Sequence, residues 1–165
     1  MYFHDTFPEV KGWVVNMVPW LSMLPCTFFG KALSEKIIKA GYSITVTRKI
    51  IETICFLTEI ISLLFLAKVE TFQSAIICLA FIIGGSGFHN NAIAVNPSDL
   101  APKHSGSVFG LMNTVGAIPG FLGVYFSGYI LHVTHSWPVV FIFIAIIDAL
   151  GCIVYLLFGS GQAII

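Results

Sequence analysis

The chain has 165 residues, 57% of them hydrophobic and 10% charged, and its formal net charge is zero. Soluble domains carry about 25% charged residues, so this composition cannot clothe a water-soluble globule, and a neutral chain gives a nucleic acid no electrostatic footing. What remains is an integral membrane protein with the lipid bilayer as its surroundings.

Residues 1–11 are polar, and the first ten carry two acids and no Lys or Arg, the wrong start for a secretory leader. A first apolar run covers about 12–33 and contains Asn16, Pro19 and Pro25. Membrane helices tolerate such prolines because neighbours satisfy the freed backbone groups. A basic connector, Ser34 to Lys49, leads to a second run at about 50–67, which holds Glu52 and Glu59. After the turn Lys68-Val69-Glu70 comes a third run at about 72–95, interrupted by Gly84, Gly85 and Gly87. The polar break Asn96-Pro97-Ser98-Asp99-Leu100-Ala101-Pro102-Lys103 stops it, and Ser105 or Ser107 is expected to cap the next helix. A fourth run covers about 107–131 and a fifth about 137–158. Each run has roughly the 20 residues that cross a hydrocarbon core. The expected fold is therefore all-α, with five transmembrane helices.

Lys and Arg set the orientation. With alternating spans, Lys31, Lys36, Lys39, Arg48, Lys49 and Lys103 share one side, and only Lys11 and Lys68 lie on the other. The basic side should be cytosolic. That puts the N-terminus outside, which without a leader implies an upstream helix and a chain that is a fragment or truncated isoform.

The runs differ in character. The second is rich in Ile, Leu and Phe and reads as a lipid-facing outer helix apart from its glutamates. The fourth carries small-xxx-small pairs, Gly106/Gly110 and Gly116/Gly120, which let helices approach closely in lipid. Pro119 beside Gly120 would also allow a bend.

Ionisable groups at membrane depth are costly and mark function unless they are paired. Glu52 is expected to snorkel or to pair with Arg48 one turn away. Glu59 suits either a proton-linked carboxylate or a protonated group bonded to a neighbouring helix, and Asp148 is similar. His89 sits after the glycines and before Asn90 and Asn91. A broken helix of this kind is tolerated where it lines a cavity or is buried in protein. His89 could carry a coupling proton or make an interhelical hydrogen bond. Asn113 and Asn16 could complete a polar lining, giving His89, Asn90, Asn113, Asn16 and Glu59 as pathway candidates. Cys26, Cys55, Cys78 and Cys152 lie within apolar runs, without metal-ligand spacing. No HExxH, GxSxG or P-loop is present, so neither an enzyme nor a cofactor is expected.

The polar break with Gly106, Gly110 and Asn113-Thr114-Val115-Gly116 resembles the stretch before the eleventh helix of the anion-cation symporters of the major facilitator superfamily. That group includes vesicular glutamate, vesicular nucleotide, lysosomal sialic acid and sodium/phosphate carriers. Lys11-Gly12-Trp13-Val14 with Pro19-Trp20 resembles the start of the eighth helix. Gly30, Ser34-Glu35 and Ile44-Thr45-Val46-Thr47-Arg48-Lys49 resemble the cytosolic loop after it. Within the group, His89-Asn90, Val95-Asn96 and Gly123-Val124 are most similar to the vesicular nucleotide branch, while Pro97 departs from the polar residue common at that point.

The resemblance implies helices eight to twelve of a twelve-helix carrier, an incomplete C-terminal bundle whose N-terminal partner bundle lies elsewhere. It implies an organic-anion substrate and a coupling ion (H+, Na+ or Cl−), with nucleotide uptake driven by membrane potential as the leading expectation. The alternatives are a proton-coupled carrier of acidic sugars, glutamate or phosphate, and a non-transporting truncated isoform. The membrane would be vesicular or lysosomal, with the plasma membrane as the alternative.

Overall fold

The computed structural model describes residues 1–164, and within them every regular element is a helix. The order is α1 (Tyr2–Thr6), α2 (Gly12–Lys39), α3 (Ile44–Leu66), α4 (Phe72–His89), α5 (Asn96–Leu100), α6 (Ser105–Thr134) and α7 (Trp137–Phe158). Four of them, α2, α4, α6 and α7, are long and apolar enough to cross a membrane. Helix α3 falls outside that set because any stretch of it long enough to cross includes Lys49, Glu52 and Glu59 together.

Three helices reach further than the apolar runs do: α2 at its end, α3 at its start and α6 at both ends. Lys36 and Lys39 close the last turn of α2, where cations oppose the helix dipole, and the expected connector shrinks to residues 40–43. The turn is sharp because Gly41 takes φ +91°, and Gly41 N and Tyr42 N donate to Ile38 O and Ile37 O. This is the glycine-terminated helix end that satisfies last-turn carbonyls. Ser43 then caps α3 by accepting from Val46 N at 3.3 Å.

Helix α4, by contrast, ends at His89, short of the expected 95. Asn91 N donates to Phe88 O and Ala94 N to His89 O, while Asn91 Nδ2 bonds back to Gly87 O at 3.1 Å. These bonds turn residues 90–95 into successive tight turns. Pro97 opens α5, where a missing N–H costs nothing. The cap expected from Ser105 or Ser107 is not made: Ser105 is the first helical residue of α6, and His104 before it has no side-chain cap bond.

The helices pack as a row, α2 on α4, α4 on α3, α3 on α7 and α7 on α6. This corrects the outer, lipid-facing role expected of α3. It lies mid-row, and Thr47, Ile51, Glu52, Cys55, Ser62, Leu63 and Leu66 are buried along it. At one end Leu63, Leu66, Ala75, Phe141 and Ala145 form a core beneath the aromatic rings of Tyr2, Phe3, Phe7 and Trp137. At the other end Ile51, Cys55, Phe88 and Ala92 pack with Cys26 and Leu33. The chain after α7 returns to this second end, where Gly161 N donates to Thr45 Oγ1 and Asn96 Nδ2 to Ser160 O, both at 2.9 Å.

Close backbone approach is made by α2 and α4. A Cβ on Gly87 would stand 2.8 Å from both Met23 O and Thr27 N, and one on Gly30 would stand 2.9 Å from Asn91 Nδ2. The glycines of α6 behave differently. Nothing lies within 4 Å of a Cβ built at Gly106, Gly110, Gly116 or Gly120, and none of the α6 residues is buried. Helix α6 ends the row, with α7 as the only long helix beside it and the short α5 near its start, so the close packing expected of its small pairs is not made among the described residues. Instead Gly120, Gly123, Ser127 and Gly128 border an apolar groove of about 520 Å³ against Ile144 and Ile147.

Candidate functional site

Two polar centres lie between the helices near the Cys26–Leu33 end of α2. The first is built on Arg48, in the second turn of α3. Its Nε donates to Asp99 Oδ2 at 2.7 Å and its Nη2 to Asp99 Oδ1 at 3.1 Å, a bidentate pair across a separation of 51 residues. Its Nη1 donates to Ser34 Oγ of α2 at 3.1 Å and to Asn91 O, just beyond α4, at 2.9 Å. One guanidinium thus ties α2, α3, α5 and the turns after α4. The planar fork of arginine makes this geometry possible where a lysine would offer a point charge. Asn91 extends the network, with Nδ2 donating to Thr27 O at 2.9 Å. The local Glu52–Arg48 pair expected from sequence is therefore replaced, because Asp99 and the neighbouring helices engage Arg48.

Glu52 turns the other way. His89 Nδ1 lies 2.9 Å from Glu52 Oε1, joining α4 to α3. The Glu52 side chain is 1% exposed and that of His89 44%. Glu52 Oε2 has no hydrogen-bond partner among the described residues. Two turns further along α3, Glu59 Oε1 accepts from Ser86 Oγ at 3.2 Å and from Cys55 Sγ at 3.4 Å. Both α3 carboxyls therefore meet the glycine-rich part of α4, which stays helical from Phe72 to His89, so the break expected at Gly84, Gly85 and Gly87 is not made. The lack of side chains at Gly84, Gly85 and Gly87 lets this part of α4 lie close to its neighbours, as Gly85 does to Thr58 and Glu59.

The pathway candidates separate in space. His89 and Glu59 face the same α3–α4 seam, and Asn90 is the half-buried residue that ends α4. Asn16 is exposed and borders a small cavity with Phe3, His4 and Phe7. It lies eleven residues from Thr27 along α2, about 16 Å at 1.5 Å per residue. Asn113 is exposed on α6, which packs on α7 and α5. Among the described residues, no polar lining of His89, Asn113 and Asn16 forms. Ser34 and Asn91 were not foreseen as partners of Arg48. Among the described residues no group of three or more His, Cys, Asp or Glu is placed to hold a metal.

A row of long apolar helices joined by buried polar pairs defines a helical membrane protein. The profile of the Major Facilitator Superfamily matches residues 5–162, and the chain belongs to that family. It is 39% identical over 163 residues to the mouse voltage-gated purine nucleotide uniporter SLC17A9 and 36% identical to the human one. It is also 31% identical to the chloroplastic sodium-dependent phosphate transport protein 1 of Arabidopsis thaliana. Each match covers 99% of this chain, but the chain spans only 36%, 37% and 32% of those relatives.

Proposed function

We propose that the chain supplies helices eight to twelve of a twelve-helix organic-anion carrier, with α3 spanning alongside α2, α4, α6 and α7, and that the carrier takes up nucleotide across a vesicular or lysosomal membrane. The observation that carries this reading is the 36–39% identity to nucleotide uniporters along 99% of the chain. The charge count supports the orientation, with the α2–α3 turn, α5 and the C-terminal segment on the cytosolic side. Membrane potential is the driving force this reading favours, since a multiply charged anion gains about 2.3 kcal/mol per charge for each 100 mV. In this carrier the Arg48 hub holds the cytosolic ends of four segments as one unit while two bundles rock about a central site.

A second reading, a proton-coupled carrier of acidic sugars or amino acids, is favoured by the buried Glu52–His89 and Glu59–Ser86 contacts. A third, association of a non-transporting chain with a complete carrier, is favoured by the unburied glycine face of α6. A substrate panel separates them. The complete carrier in proteoliposomes should take up labelled ATP and be inhibited by other nucleotides. Uptake of sialic acid, glutamate or phosphate in place of ATP would reject the nucleotide reading. Uptake by residues 1–165 alone would reject the need for a partner bundle.

A further inference from the structure

We propose that Glu52 and His89 form a single-proton site, an acid–base pair that binds one proton at the seam of α3 and α4. This adds a binding site to the carrier reading and depends on that reading only for its consequence in transport.

Geometry carries the argument. Glu52 is almost completely buried, one oxygen 2.9 Å from His89 Nδ1 and the other without a partner among the described residues. An ionised carboxylate in that position, beside a neutral imidazole, is a buried charge with one bare oxygen, which is strongly unfavourable. A positive charge would relieve it, and the surroundings do not supply one. From α3 the titratable neighbours are Cys55 and Glu59, and from α7 they are Cys152 and Tyr155, with Asp148 of α7 acting on Glu59. From α2, Cys26 packs against the same core. Arg48 is occupied by Asp99, Ser34 and Asn91 O, and Lys49 Nζ donates to Leu156 O at 2.8 Å. The pair therefore reaches neutrality with one bound proton, held between Nδ1 and Oε1.

The two members of the pair differ in exposure. His89 presents Nδ1 to the buried acid, and 44% of its side chain remains open. Glu52 lies behind this open edge, so a proton reaching the pair from outside the α3–α4 seam meets His89 first. A histidine whose ring nitrogens face two environments is suited to this role. Loss of the proton would leave Glu52 charged at the contact that joins α3 to α4. Proton occupancy therefore biases how the two helices pack, and transport by the complete carrier should depend on pH through this pair.

The test tracks the proton directly in the purified protein in nanodiscs, with 15N-histidine and 13C-carboxyl-glutamate labels. A His89→Gln variant assigns the His89 signals. The site predicts that His89 and Glu52 signals move together with one midpoint. In Glu52→Gln, the His89 midpoint should shift by about one pH unit or more, the scale of a lost close charge partner. A histidine that titrates alone, unmoved by Glu52→Gln, overturns the proposal. So does a shift in these signals that tracks sodium at fixed pH. Should Glu52→Gln misfold, the joint midpoint in the parent protein and in Glu52→Asp decides. In proteoliposomes holding the complete carrier, substrate uptake should vary several-fold across neutral pH and flatten in His89→Gln. Uptake with the same pH profile in both overturns the transport consequence. Joint titration in a carrier that ignores nucleotide would reject the substrate reading and leave the proton site standing.

Discussion

Replacing Asp99 with asparagine tests whether the Arg48 hub holds the helix ends together. The two side chains are 13% and 14% exposed and meet through two charge-assisted bonds of 2.7 and 3.1 Å. Removing one member of a buried pair costs about 3–5 kcal/mol because the remaining charge is left unpaired. Asparagine keeps one acceptor for Arg48, and the pair is not fully dry, so Asp99→Asn should cost about 2–3 kcal/mol, the scale of one charged hydrogen bond. Asp99→Ala should reach the upper range, and Arg48→Met should match or exceed it, since it also strands Ser34 and Asn91 O. The assay is unfolding of the purified protein by SDS in mixed micelles, read as loss of helical circular dichroism. The double variant Arg48→Met/Asp99→Asn should cost clearly less than the sum of the singles, by at least about 1.5 kcal/mol. Single effects that add to within about 0.5 kcal/mol would refute the reasoning, because uncoupled sites behave that way.

Gly87→Ala places a methyl 2.8 Å from backbone atoms of α2, so it should destabilise by about 1–3 kcal/mol in the same unfolding assay. Gly116→Ala meets open space and should raise helix stability by up to about 1 kcal/mol. Asn91→Ala removes bonds to Thr27 O and Gly87 O and should cost about 1–3 kcal/mol, read as a shifted SDS midpoint. Asn113→Cys in the complete carrier should react with a membrane-impermeant thiol reagent and be protected by ATP if α6 lines the pathway. An unreactive cysteine there would remove Asn113 from the site.

The helices were legible in the sequence because long apolar runs and glycine or proline breaks act locally. Charged residues hid the true ends of α2 and α3. Lys36, Lys39, Arg48 and Lys49 read as a connector by hydropathy, yet all four lie in helix. The end of α4 was misplaced for a related reason: Ile93, Ala94 and Val95 are apolar, and the turns there come from Asn91 bonding back to Gly87 and across to α2. His89 and Glu59 stood out as ionisable groups in apolar runs, and both lie on one seam. What could not be read was pairing over distance. Glu52 and His89 are 37 positions apart, Arg48 and Asp99 51, and nothing local distinguishes these partners from the nearer Arg48–Glu52 option. The glycine pattern of α6 was visible, but which face of that helix meets a partner depends on helices beyond its neighbours α5 and α7.

The most direct test of the carrier account is the accumulation of ATP as a function of imposed potential. The complete carrier should be reconstituted in liposomes with potassium diffusion potentials of increasing size, inside positive, and equal pH on both sides. The account predicts accumulation that climbs steeply with potential, bounded by roughly fifty-fold per net charge moved for each 100 mV. Accumulation that ignores potential and depends only on a pH gradient would contradict it.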